Sequence, residues 1–389
     1  MGLTETEYVN ALRRLSMPEN KVDLLLIPGP VPVSAEVLAG MAEPVRQHYG
    51  PDWLPFYDTF IGRLRRIFET TGSVYPIPAS GSGGIEVVVG SLIGGDGRIG
   101  VIVNGFFGDR LLNIACAHTS QVEVLQVPWE RPADPDDVRT WLRTNGLRLL
   151  AVVHSDTSTG VINPVPELAA VARGEDAAII VDAVSSLGGM PVRTDAWGLA
   201  AVSTASQKCL ETPPGLAPVA VTQAGWDVID RQATPSRGWY LNLRTWRQYE
   251  HEWPHHPYPV TIPGNNIIAL DIALARILEE GLEARFERHR RAAAVLREGL
   301  ERLGFTLFAD RRWASPTITV AYPPKGVDAN ALVTTMRARH RIAIGGGLLA
   351  LAGKVIRIGH LGTQAQPETM QRALGALEAC LREGVPSAR

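Results

Sequence analysis

Residues 177–189 read A-A-I-I-V-D-A-V-S-S-L-G-G. A short apolar run closed by Asp182, then small residues and a glycine pair, reads as a buried parallel strand that opens into a turn. In open α/β sheets, ligands gather at the carboxyl ends of such strands. Asp182 therefore stands where chemistry is expected, although a turn residue or helix N-cap after a strand satisfies the same pattern. Lys208 follows 26 residues later, within S-T-A-S-Q-K-C-L-E-T-P-P-G-L-A at 203–217. Pro213, Pro214 and Gly215 forbid a helix there, and an apolar strand resumes over 216–221. A lysine on a tight turn between buried segments can be desolvated, which lowers its pKa and makes it a nucleophile or Schiff-base former. A solvated turn lysine fits the local pattern equally.

Outward from this centre the chain alternates. Strands are expected at 74–78, 100–103, 122–127 and 149–154, and helices at 85–92, 110–117, 134–144 and 165–172. That alternation predicts a doubly wound, mostly parallel sheet of the α/β class. Phe56, Phe60, Leu64 and Phe68 mark a helical stripe over 54–70. A short strand at 24–27 is stopped by Pro28-Gly29-Pro30. The segment 234–261, rich in Trp, His and Pro, reads as irregular chain on a surface that something covers. One long helix is expected over 267–303, and a smaller strand-helix-strand-helix lobe over 306–381. The expected division is an N-terminal arm at 1–22 (one helix over 5–16), a large domain at 23–270 and a small domain at 271–389.

Composition narrows the function. The chain has 389 residues, 45% hydrophobic and 20% charged, with a formal net charge of −2. That balance gives no electrostatic case for nucleic acid or an anionic membrane. No apolar run reaches the roughly 20 residues that a membrane helix needs, and the N-terminus lacks signal-peptide features. Cys116, Cys209 and Cys380 are scattered without metal spacing, which suits a reducing cytoplasm.

An aspartate to pair with a pyridinium nitrogen and a lysine to form an imine make the protein half of pyridoxal phosphate (PLP) chemistry. The run S-Q-K-x-L-x-x-P-P-G-L, with V-D-A-V-S-S-L-G-G upstream, resembles the fold-type I PLP enzymes. More narrowly it resembles class V aminotransferases of the alanine–glyoxylate, serine–pyruvate and pyridoxamine–pyruvate group, over nearly the whole chain. By that resemblance Lys208 holds PLP as a Schiff base and Asp182 keeps the pyridine nitrogen protonated. The glycine-rich S-G-S-G-G at 80–84 lies between a strand and a helix, a ready anion site. The resemblance puts the cofactor phosphate there, on Ser82, Gly83 and Gly84, with Gln207 adding a contact. It makes Phe107 the aromatic stacked on the ring, where Phe106 is the competing choice and core packing the plain one. It has Thr157 bond the ring's phenolic oxygen.

Tyr258 and Thr261 match an element that reaches the phosphate of a neighbouring subunit, so a homodimer with shared sites is implied. Arg357, on an apolar strand between glycines, suits bidentate capture of a carboxylate, and the resemblance assigns it the substrate α-carboxylate; a strand arginine in an ion pair is the other reading. Glu211 departs from the family pattern, as a charge near the site entrance or as a solvated turn residue. His154 reads as a packed strand-end residue.

The implied reaction moves an amino group between a small amino acid and an oxo acid such as glyoxylate or pyruvate. The same apparatus also serves a β-eliminating lyase or a decarboxylating deaminase, which remain open. A cysteine desulfurase needs a mobile-loop cysteine, and 323–347 holds none. A transcription regulator on this fold needs a DNA-binding module, and 1–22 is short and not basic. A nucleotide-binding enzyme needs G-x-G-x-x-G spacing, which S-G-S-G-G lacks.

Overall fold

The computed structural model describes residues 22–385; the helix expected over 5–16 lies outside the described residues. Its larger sheet has seven strands in the order Ser73–Ile77, Ala217–Val221, Ala201–Ser203, Ala178–Asp182, Leu149–Val153, Ile99–Val103, Val122–Gln126. The five from Ala201–Ser203 to Val122–Gln126 run parallel, and Ala217–Val221 runs antiparallel to both its neighbours. Every residue of Ile99–Val103 and Leu149–Val153 is buried. Helices cover both faces, so these strands are continuous apolar runs rather than alternating ones. Helix Leu54–Phe68 buries Tyr57, Phe60, Ile61, Leu64, Ile67 and Phe68, one face of a 3.6-residue period.

The smaller sheet has five strands in the order Leu24–Leu26, Ile342–Gly346, Ile356–Gly359, Ile318–Tyr322, Thr306–Leu307. Its core is separate and includes Leu26, Leu296, Met336, Ile356 and Leu377. The division expected at 270 meets two corrections. Strand Leu24–Leu26 pairs with Ile342–Ile344, not with the large sheet, because Leu24 and Leu26 bury in the smaller core. Residue 270 falls inside helix Gly264–Glu280, whose Ile267, Leu270, Leu274 and Ile277 belong to the larger core. The single helix expected over 267–303 is broken at Gly281, at φ +82°, and Leu282–Arg302 follows. A left-handed residue cannot continue a right-handed helix.

Two further expectations change. Helix Gly81–Ile93 begins four residues earlier than expected, so the glycine-rich stretch is its first turn, with Ser80 as N-cap. Helix Phe106–His118 likewise starts before Arg110. Within 234–261, helix Leu243–Glu252 forms, capped by the Asn242 side chain on the Arg244 N–H and buried through Leu243, Thr245 and Trp246. No helix of the described residues is long and apolar enough to cross a membrane.

Candidate active site

The carboxyl ends of the parallel strands open onto a cavity of about 310 Å³. Asp182, the last residue of its strand, lines it. One carboxylate oxygen accepts the Val184 N–H at 2.9 Å. Burial pushes this carboxyl up to about 7, opposed by that hydrogen bond and by the positive charges of Lys208 and Arg110. Lys208 lines the same cavity from the turn between strands Ala201–Ser203 and Ala217–Val221. Main-chain bonds from Ser206 N to Leu216 O and from Thr212 N to Ser206 O close that turn, and the Ser206 hydroxyl donates to Pro213 O. Burial pulls the Lys208 amine down to about 8. The expected pairing of a desolvated lysine with an aspartate at a strand end is thus present.

Residues 28–30 run across this lysine. Lys208 Nζ donates to the Pro28 carbonyl, and Val31 N donates to Gln207 O. Gly29 has φ +92°, and a Cβ there would lie 2.6 Å from Lys208 Cδ, so only glycine fits.

Of the other expected site residues, Ser82, Phe107 and Gln207 line the cavity. Gln207 Oε1 is buried with no hydrogen-bond partner. Gly83 and Gly84 do not line the cavity. A Cβ on Gly84 would lie 2.6 Å from Ala217 Cβ and 2.7 Å from Ser203 Oγ, so that glycine serves close helix–sheet packing. Thr157 is buried outside the lining, with its carbonyl accepting Arg357 Nη1 at 3.0 Å. Arg357 Nε also donates to Gly346 O at 2.6 Å. Burial lowers the guanidinium to about 10, and its charge acts on Lys208. Tyr258 is wholly buried in its own chain, with its hydroxyl donating to His48 O, while Thr261 is exposed; neither reaches this cavity.

Three readings are corrected or completed. Glu211 is not an entrance charge: it is 6% exposed and forms an ion pair with Arg285. His154 is packed edge-on to Trp197, and burial pulls it down to about 4. Asp156 escaped the sequence reading. Its buried carboxylate accepts the Phe107 N–H at 2.9 Å, the Gly108 N–H at 3.2 Å and the Ser158 hydroxyl at 2.6 Å. It thereby caps helix Phe106–His118 and fixes where Phe107 stands. Arg110, Ser155, Val184 and Ser185 also line the cavity and were not foreseen. For Arg110 the available signal was its place three residues after Phe107 on one helix face.

The model of the family described as aminotransferase class-V matches residues 111–364. The chain is 37% identical to an uncharacterized aminotransferase of Methanocaldococcus jannaschii, over 92% of this chain and 93% of the relative. It is 32% identical to the (S)-ureidoglycine–glyoxylate transaminase of Bacillus subtilis, over 92% and 90%. The crystal structure of an alanine–glyoxylate aminotransferase from Nostoc sp. superposes with a TM-score of 0.89 at 30% identity, covering 98% of this chain and 100% of that one.

Proposed function

The chain belongs to the class V aminotransferase family, and from that premise we propose which of its residues carry the reaction and which oxo acid it takes. The activity comes with the family: an amino group is moved between an amino acid and an oxo acid, and the family's cofactor is PLP. The named relatives are transaminases, which favours transfer over elimination or decarboxylation.

The residues present fit that cofactor. A lysine amine and a carboxylate, both desolvated and neither in an ion pair among the described residues, face one cavity, and Gln207 Oε1 has no partner. That conjunction of Lys208 and Asp182 is the observation that carries the reading. When bound, PLP supplies an aldehyde and an electron-withdrawing ring. Lys208, its amine neutral above about pH 8, would hold the cofactor through that aldehyde and carry the substrate's α-proton. Asp182 places its negative charge against the ring nitrogen, where a positive partner removes the penalty of its burial. Phe107 covers one face of the ring, and Ser82 with Gln207 faces the phosphate. Arg357 holds the substrate carboxylate, its fork oriented by the carbonyls of Gly346 and Thr157. We assign Thr157 to the ring's phenolic oxygen, and Gly83 and Gly84 to the helix turn beneath the phosphate. Tyr258 and Thr261 are assigned to a partner copy's site in a homodimer.

The oxo acid is a small one, with glyoxylate first, since two of the three relatives above carry glyoxylate in their names. The described cysteines are all free, which supports a reducing cytoplasm. The test is direct. Borohydride added to the protein with PLP should fix the cofactor on Lys208, with a yield that rises with pH to half its maximum near pH 8. In a separate sample left unreduced, alanine or serine should give pyridoxamine phosphate, and glyoxylate should reverse the change. An adduct on another lysine, or ammonia released without pyridoxamine phosphate, would refute the assignment.

A further inference from the structure

The cavity holds one more charge than this reading uses. Arg110 lines it beside Ser82, with Nη1 3.4 Å from Ser82 Oγ. Its Cζ lies 4.9 Å from the ring centroids of both Phe106 and Phe107. Among the described residues no carboxylate stands within ion-pair distance of it, whereas the more deeply buried Arg285 has two, on Glu211 and Glu280. A half-buried guanidinium against aromatic faces and without a counter-charge keeps its full attraction for an anion.

Charge placement says which anion. Asp182 is the one carboxylate lining the cavity, while the nearby Asp156 is already occupied by N–H and O–H donors. Arg357 acts on Lys208 more strongly than Arg110 does, and Arg110 also acts on Asp182. Arg110 is the arginine among the residues that line the cavity, and Arg357 is not one of them. Ser82 lies in the first turn of helix Gly81–Ile93, whose N-cap Ser80 makes no side-chain capping bond. The leading N–H groups of that helix are thus not satisfied by a cap. A guanidinium and an uncapped helix N-terminus converge on the same serine hydroxyl.

We propose that Arg110, with Ser82 and the first turn of helix Gly81–Ile93, binds the cofactor's phosphate and gives the site its preference for PLP over unphosphorylated pyridoxal. The proposal rests on the assignment of Lys208 as the point of cofactor attachment. The test uses the full chain as wild type, Arg110→Gln and Arg110→Lys, each freed of cofactor and titrated with PLP and with pyridoxal. The readout is the absorbance change on capture by Lys208. Arg110→Gln should weaken PLP about 10- to 100-fold, the range for loss of a charge-assisted contact, and leave pyridoxal within about twofold. Arg110→Lys should recover part of the loss, since an ammonium keeps the charge without the fork. Equal weakening of both ligands would make Arg110 a support for the Phe107 ring and overturn the proposal. So would unchanged PLP affinity with a raised KM for aspartate or glutamate, which would place a substrate carboxylate on Arg110. Wild-type protein that captures neither ligand on Lys208 would instead overturn the cofactor assignment itself.

Discussion

Burial moves Asp182 up to about 7 and Lys208 down to about 8, so both titrate near neutrality. For Asp182 the consequence for stability can be signed. Between about pH 4, where the unfolded carboxyl ionises, and about pH 7, the folded chain holds a proton that the unfolded chain has lost. Stability of the cofactor-free protein therefore falls, through this group, as pH rises across that window. Asp182→Asn deletes the cost and keeps an oxygen for the Val184 N–H. The cofactor-free variant should be more stable than wild type at pH 8, by roughly 2–4 kcal/mol, with the gap closing towards pH 4. The same variant should lose most of its turnover, since function and stability conflict at such a site. Urea unfolding of both proteins at pH 5 and pH 8 checks this; a gap that ignores pH would mean that Asp182 is neutral or paired. Asp182 and Lys208 were legible in the sequence because a carboxylate at a strand end and a lysine on a Pro-Gly turn between buried runs stand out by residue type and position. Arg110 was not, because an arginine in a helix looks the same whether it faces solvent or a cavity. Glu211 was misread because a glutamate beside Pro-Pro-Gly looks solvated, and its partner Arg285 lies in another lobe's helix.

That helix, Leu282–Arg302, is the element that ties the site together. Arg285 donates to Gly188 O at 2.7 Å, on the loop after the Asp182 strand, and to Cys209 O at 2.8 Å, and it pairs with Glu211, both just after Lys208. Arg288 donates to Gly362 O at 2.8 Å and Ala365 O at 3.0 Å, just beyond the Arg357 strand. His289 Nε2 accepts the Gly362 N–H at 3.1 Å, which fits a neutral imidazole held well below its usual range by burial. One helix thus pins both the turn that carries Lys208 and the chain just beyond the Arg357 strand. Arg285→Met should cost about 3–5 kcal/mol, because it strands a buried Glu211 charge and frees two carbonyls. Glu211→Gln should be milder, since Glu280 still balances Arg285. Thermal unfolding beside KM for cationic and anionic amino acids separates this from an entrance role. A KM that moves with substrate charge at unchanged stability would restore that role. Elements themselves were read well where apolar runs were long, as in the parallel strands. Helix Leu243–Glu252 was missed because its buried face is short and its composition is aromatic and polar. The pairing of Leu24–Leu26 with Ile342–Ile344 could not be read, since strand pairing between opposite ends of a chain leaves no local signal.

At the scale of the whole molecule, the chain's surface carries aromatics that its own two cores do not use. Trp239 is 53% exposed and Trp253 49%. Together with Tyr249 and His255 they form a run of ring contacts at 5.7–6.2 Å. Trp246, on the same stretch of chain, is core: it is fully buried, with its indole N–H donating to Tyr240 O. Tyr240 in turn donates to Pro78 O, just ahead of the helix turn that carries Ser82. An exposed aromatic group continuous with the Ser82 end of the cavity is a surface that a second copy would cover, since large rings supply most interface energy once desolvated. Exposed Thr261 lies on the same stretch of chain. The protein should therefore be a homodimer at micromolar concentration. Trp253→Ser with Trp239→Ser should weaken association by at least about 2 kcal/mol, some 30-fold in Kd. If Thr261 completes a partner's phosphate site, the dissociated form should also lose PLP affinity while its affinity for pyridoxal is spared. Tyr258 sets the limit of that argument, because its hydroxyl is turned inward to His48 O. Tyr258→Phe should then cost fold stability through the lost bond to His48, and a loss of PLP affinity without loss of stability would show the ring turned outward in the dimer. Sedimentation of wild type and the double variant, each with PLP and with pyridoxal, gives the answer. A wild-type monomer with undiminished turnover would remove the shared-site reading and leave Thr261 as an ordinary surface residue.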